Sequence, residues 1–154
     1  MKRASQRSDA GEASAGDRAR RILYTIAAVI GAAGVAETIY LTAMHLAGAH
    51  ITCVTSGSCS QVLGSRYAVI AGVPLAAFGI LGYFAAFSSA TLAAFRYPFA
   101  GRAFALVVGL MFLGTLWLLY LQAFVIHSFC DYCLLSAAMI FTLTAIVVLL
   151  PPKR

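Results

Sequence analysis

Four long apolar stretches, at residues 22–46, 74–95, 103–126 and 130–150, constrain this chain more than any other feature. Each reaches the roughly 20 residues that a helix needs to cross a ~30 Å hydrocarbon core. Lipid offers no partner to an unpaired backbone amide, so stretches of this kind span a bilayer as helices. Strands of a membrane barrel would alternate polar and apolar residues, and these do not. Composition agrees, because 62% of the residues are hydrophobic and 10% charged, far from the balance of soluble domains.

The first stretch is preceded by more than twenty residues, and it exceeds the roughly 7–15 apolar residues of a signal-peptide core. It therefore reads as a retained helix. Residues 1–21, MKRASQRSDAGEASAGDRARR, are polar and rich in small residues, so a disordered cytoplasmic tail is expected there. Residues 151–154 form a second short tail. No soluble domain is expected on either side of the bundle, and no fixed-period repeat is visible.

The formal charge of +6 does not point to nucleic acid, because the basic residues are few and scattered among apolar sequence. Their distribution carries the information. Lys2, Arg3, Arg7, Arg18, Arg20 and Arg21 precede the first stretch, Arg96 and Arg102 flank the second connection, and Lys153 and Arg154 end the chain. Four spans put all ten on one side and leave only Arg66 on the other. The positive-inside rule makes the basic side cytoplasmic. A multi-pass protein of the cytoplasmic membrane follows, with both termini inside.

That topology places Cys53, Cys59, Cys130 and Cys133 on the extracytoplasmic face, where disulfides persist. Cys130 and Cys133 are a Cys-x-x-Cys pair in SFCDYCLLSA; three residues apart, they share a helix face and can bridge with little strain. Ser128 and Asp131 fit a capping box that would start the helix at Phe129. Cys130 then falls in the first turn, where the helix end lowers a thiol pKa while Asp131 opposes it. Cys53 and Cys59 bracket a flexible loop, CVTSGSC. Three readings stay open at this point: permanent structural disulfides, a four-cysteine zinc site, and a relay in which one pair passes electrons to the other. Zinc fits least well, since five residues separate Cys53 from Cys59 where zinc ligand pairs have two to four. No metal is expected.

The Cys–x5–Cys loop after the first span, CSQVLGSRY running on to AGVPLAAFGI, and FCDYCLLSA opening the last span resemble the vitamin K epoxide reductase family. The bacterial quinone-linked members, without a fused thioredoxin-like domain, are the most similar. The resemblance covers residues 22–150 and includes the four cysteines and Ser65 in matching order. It implies an all-α four-helix membrane bundle with a cysteine-bearing loop or short helix capping a pocket. It also implies an electron path. A separate extracytoplasmic thioredoxin-fold oxidase would be oxidised at Cys53–Cys59, Cys59 would attack Cys130 of the Cys130–Cys133 disulfide, and Cys133 would face a quinone, either ubiquinone or menaquinone. Ser65 would act at the quinone or orient the loop. Two departures from the animal enzymes, Ala137 in place of a tyrosine and YAVIAGVP without an asparagine, favour quinone reduction over the alternative, reduction of vitamin K quinone or its epoxide.

Other residues carry weaker expectations. Glu37 lies within the first span, where an acid is costly and faces the bundle interior or serves function; it could pass a proton to a reduced quinone or be hydrogen-bonded structurally. His45, His50 and His127 sit near the outer interface with no metal spacing. Trp117, Tyr120 and Gln122 approach the outer end of the third span and Tyr132 sits between the two cysteines; the aromatic ones are expected as belt anchors, and Tyr132 could line a quinone entrance. Gly31, Gly34, Gly79 and Gly82 are expected where helices approach closely. Arg18, Arg20 and Arg21 would meet anionic headgroups.

Overall fold

A computed structural model describes residues 2–48, 69–70 and 72–150, with only the backbone path given for 2–15 and for Ile70. Helix α1 runs Lys2–Leu46, a short hairpin pairs β1 (Val69–Ile70) with β2 (Val73–Pro74), α2 runs Leu75–Ala94, α3 Ala100–Tyr120, and α4 Asp131–Leu149. A π-helical segment, Leu121–Ile126, prolongs α3. Four segments among the described residues, Gly16–Leu46, Leu75–Ala94, Ala100–Ile126 and Asp131–Leu149, are long and apolar enough to cross a membrane. The expected four-helix membrane bundle is what forms.

Two local expectations need correction. The backbone is helical from Lys2 rather than disordered through residue 21. Ala and Arg supply ten of residues 1–21 and proline is absent, and extending a helix already formed avoids the cost of nucleation. The last helix starts at Asp131 with Cys130 as its cap, not at Phe129. His127 takes a left-handed conformation (φ 52°) that ends the π segment and turns the chain, so the residues after it cannot join a helix earlier.

Helices α1 and α2 pack antiparallel through small residues. A Cβ added at Gly31 would lie 3.0 Å from the Phe87 backbone, one at Gly34 would overlap the Tyr83 ring, and one at Gly79 would come 2.8 Å from Thr38 Cγ2. Gly82 gives the same room to Met111 of α3, at 3.2 Å. With no hydrophobic drive between helices in lipid, close van der Waals approach supplies the association. Helices α3 and α4 close the ring, α4 returning against α1. The core is Tyr24, Ala27, Tyr83, Ala86, Ala90, Phe104, Val108, Ile140, Leu143 and Ile146. Large apolar side chains such as Leu81, Leu106, Leu110, Leu113 and Val148 stay exposed on the outside, the surface that lipid tails would cover. Hydroxyls within the spans, including Thr38, Ser89, Thr115 and Thr144, donate back to carbonyls one turn earlier. That removes their need for water.

The basic residues gather at one end of the bundle. Arg20, Arg21, Arg96 and Arg102 line a cleft with Asp17 and Tyr24, and Asp17 pairs with Arg96 at 2.6 Å. Arg96 sits at φ 64° just after α2. Its N–H donates to Ala93 O and that of Tyr97 to Leu92 O, a two-bond helix stop that ordinarily uses glycine at this position. The turn holding Cys130 is at the opposite end.

Candidate redox site

Cys130 and Cys133 lie at the start of α4, and the chain reaches them through a turn built on Gln122. Gln122 is buried, 3% exposed. Its backbone oxygen accepts from Ser128 N–H at 3.2 Å, and its side-chain Oε1 accepts from Cys130 N–H at 3.2 Å. A buried amide N–H left without a partner would cost free energy, so this one side chain holds the turn against the bundle. The π segment puts it there, since an α-helical continuation would rotate residue 122 away. Such bulges recur at functional sites.

Cys130 caps α4 in extended conformation and is fully buried, 0% exposed, against Leu41. Both cysteines are free thiols here. The Cys133 S–H hydrogen-bonds toward the Cys130 sulfur and is the main influence lowering the Cys130 pKa. Burial pushes the other way; the N–H groups of Cys133 and Tyr132 help the thiolate, and Asp131 opposes it. Cys130 caps this helix end with its backbone alone, and the N–H groups of Tyr132 and Cys133 are directed at its sulfur. The expected modest activation of a thiol in this pair therefore falls on Cys130, with the neighbouring thiol as a larger cause than the helix end.

Cys133 is packed against the same cluster. It lines a cavity of about 290 Å³ to which all four helices contribute, close to the lower end of the range for small-molecule sites. The wall is mainly apolar, with Leu41, Phe78, Met111, Leu118 and Ile140. Its polar groups cluster near Cys133. Ser136, one turn along the same face of α4, shares a 2.6 Å hydrogen bond with the Tyr83 hydroxyl, which also donates to Ser136 O at 3.1 Å. Thr38, His45, Gln122 and Tyr132 complete the lining. The hydroxyls can orient a carbonyl-bearing ring beside the Cys133 sulfur, so the donor set and the apolar wall fit a quinone.

Several expected residues find their places. Tyr132 lines the cavity and stacks obliquely on Tyr40, ring centroids 6.0 Å apart. Trp117 and Tyr120 stack on the exposed outer face of α3, as belt residues do. Gln122 is the buried support of the turn. His45 reaches the cavity, and His127 is the exposed left-handed residue of the turn. Glu37 is on α1 beside Thr38, and both its carboxyl oxygens are buried without a hydrogen-bond partner among the described residues. Cys53, Cys59, Ser65 and His50 lie outside the described residues, as does most of the loop expected to cap the pocket. Among the described residues no cluster of metal ligands occurs. Sequence reasoning missed Tyr83 and Ser136. The signal available for Ser136 was its spacing of three from Cys133, and for Tyr83 its place as a phenol in the middle of an apolar span.

Comparison with known proteins agrees with this geometry. The thiol-disulfide oxidoreductase LTO1 of Arabidopsis thaliana is 34% identical over 116 residues, which cover 70% of this chain and 31% of the relative. The chain thus spans about a third of that relative's length. The profile of the Vitamin K epoxide reductase family matches residues 25–148, a stretch that takes in the apolar length of all four helices and the Cys130–Cys133 pair. This chain belongs to the vitamin K epoxide reductase family.

Proposed function

We propose that this protein is a membrane thiol-disulfide oxidoreductase that takes electrons from a dithiol partner and delivers them to a quinone within the bilayer. One observation carries the reading. Cys133 lines the apolar cavity, and Cys130, in hydrogen-bond contact with it, is buried against Leu41 where the α3–α4 turn meets the end of the bundle. A pair so placed can reach a lipid-soluble acceptor through Cys133 while a loop cysteine approaches Cys130 from the bundle end.

Cys53 and Cys59, on the loop that precedes α2, receive the partner's electrons. The partner's thiolate attacks the Cys53–Cys59 disulfide at Cys53, and Cys59 leaves as thiolate. Cys59 then attacks Cys130 of the Cys130–Cys133 disulfide, releasing Cys133. The partner's second thiol then displaces Cys53 from the mixed disulfide, leaving the partner oxidised, and the freed Cys53 attacks Cys59 of the Cys59–Cys130 bond, which restores Cys53–Cys59 and leaves Cys130 and Cys133 as the reduced dithiol. Each exchange breaks one S–S bond and forms another, with no net change in electrons. A quinone in the cavity supplies the final sink, accepting two electrons and two protons as Cys130 and Cys133 close again. Tyr83 and Ser136 hold its position by donating hydrogen bonds, and the apolar wall excludes water. A membrane-permeable acceptor explains the otherwise costly choice of a dithiol at the head of a lipid-spanning helix. The partner's recognisable chemistry is a thioredoxin-fold protein with an exposed, reducible cysteine pair on the extracytoplasmic side. The basic residues gathered at the far end of the bundle support that orientation.

The test is a cysteine-to-serine series with reduced thioredoxin-fold protein and a soluble quinone under anaerobic conditions. Wild type should produce quinol, and each single change should abolish it while the bundle stays folded. Supplied with the partner in its disulfide form, Cys53 of Cys59→Ser should attack that disulfide and hold the partner, and in Cys133→Ser the lone Cys130 thiol should attack Cys59 of the Cys53–Cys59 disulfide and hold it. Failure of wild type to make quinol with both benzoquinone and naphthoquinone acceptors would overturn the reading and leave structural disulfides.

A further inference from the structure

We infer that Glu37 is the second proton source of the dithiol, giving up its carboxyl proton as Cys130 and Cys133 close to a disulfide. This rests on the quinone-reducing reading above. Glu37 sits on α1 one turn beyond Gly34, where the Tyr83 ring packs, and one turn before Leu41, which packs on Cys130. Both carboxyl oxygens are sealed from solvent with no hydrogen-bond partner among the described residues. An ionised carboxyl so placed would carry an uncompensated charge in a region of low dielectric, so the group rests as the neutral acid. The ionisable groups that interact with it are Cys130 and Cys133 from α4 and Tyr83 from α2; none from α3 does.

The need for such a group follows from the thiols. Reduction of a quinone consumes two electrons and two protons. Hydrogen bonding from the Cys133 thiol lowers the Cys130 pKa, and whenever Cys130 reacts as the thiolate the pair brings two electrons but only the one proton of Cys133. Glu37 makes up the difference. Cys130 thiolate, Cys133 thiol and Glu37 acid together become the disulfide and Glu37 carboxylate, while the electron pair and two protons pass to the acceptor. One negative charge is present before and after; it moves from sulfur to oxygen, and the apolar site never holds two. Proton return to Glu37 from the aqueous side resets the pair for the next dithiol. A structural glutamate would be indifferent to the redox state of the thiols.

Infrared difference spectroscopy on the full-length protein in lipid nanodiscs reads this without turnover of quinone. The chain contains two glutamates, Glu12 and Glu37, so carbon-13 glutamate labelling in a Glu12→Gln background isolates one carboxyl band. That band should be strong in the reduced protein at neutral pH and, in rapid-scan spectra, should weaken as the thiol oxidant diamide closes Cys130–Cys133 and recover as the proton returns from water. In parallel, Glu37→Gln should slow single-turnover quinol formation about a hundredfold, the scale of a lost general acid, with Glu37→Asp retaining most of the rate. A carboxyl band that stays constant throughout disulfide closure would overturn the inference, as would Glu37→Gln turning over at the wild-type rate. The infrared arm decides alone where the glutamine variant fails to accumulate. Wild type that shows the band change but makes no quinol would overturn the proposed function instead.

Discussion

The side-chain oxygen of Gln122 accepts a hydrogen bond from the backbone N–H of Cys130, eight residues later, at 3.2 Å. That contact ties the π segment at the end of α3 to the first sulfur of α4. Both partners are buried, so water cannot replace either one. The position of the dithiol thus depends on a residue that is neither a cysteine nor next to one.

Replacing Gln122 with Leu keeps the volume roughly the same and removes the acceptor. The Cys130 N–H is then buried unsatisfied, which costs about 1–3 kcal/mol. A lower melting temperature in detergent and faster alkylation of Cys130 are expected. Gln122→Glu, which keeps an acceptor oxygen, should restore protection of Cys130.

The Cys130 thiol has its own pH signature. Hydrogen bonding from the Cys133 thiol first, and then the N–H groups of Cys133 and Tyr132, lower its pKa in the folded reduced protein. A group lowered on folding adds stability in full above its unfolded value, and loses it as pH falls through the folded one. The reduced protein should therefore gain stability as pH rises from that lowered value to the ordinary thiol range near ~8.5. In a Cys53→Ala, Cys59→Ala background, thiolate ultraviolet absorbance should appear below that range. Cys133→Ala, which removes the largest cause, should move the absorbance back up.

The hydroxyl of Tyr83 bonds Ser136 at 2.6 Å beside Cys133. Tyr83→Phe should cost about 0.5–1.5 kcal/mol of stability. It should also raise the KM for quinone while partner-side disulfide exchange proceeds at the wild-type rate. Steady-state kinetics with varied quinone, alongside a gel assay of partner oxidation, separates the two effects.

Gly34 gives the Tyr83 ring its place against α1. Gly34→Ala forces the ring or the helix aside, and overpacking of this kind costs about 1–3 kcal/mol. Loss of the Tyr83–Ser136 bond should follow, so Gly34→Ala should reproduce the KM increase of Tyr83→Phe together with a lower melting temperature.

Arg96 ends α2 in a left-handed conformation, which costs a non-glycine residue roughly 1–2 kcal/mol. Its ion pair with Asp17 is largely exposed, 72% and 51%, and such pairs contribute about 0–1 kcal/mol. Arg96→Gly should therefore leave thermal stability unchanged or slightly raised, measured by unfolding in detergent. A marked loss would mean that the exposed pair contributes more than solvent screening allows.

The spans, their number and the sorting of basic residues were legible in the sequence because lipid imposes a one-dimensional rule, about twenty apolar residues per crossing with cations at one end. The proximity of the Cys-x-x-Cys pair was legible for a similar reason, since residues three apart share a face at a helix start. Helix-packing glycines followed from the same local logic, and Gly31, Gly34, Gly79 and Gly82 all sit at close approaches. The boundary of α4 was misplaced by the Ser128–Asp131 spacing, because the left-handed turn at His127 is set by the preceding π segment and not by a cap.

What the amino-acid order determined alone is therefore the membrane bundle and the presence of a redox pair at one of its ends. Only the tertiary structure decided which sulfur lines the cavity, which hydroxyls line it too, and that Gln122 belongs to the same site. Those relations join residues from different helices, as far apart in sequence as Tyr83 and Ser136. Contacts of that kind depend on how four helices rotate and close against one another, which no periodicity within a single span records.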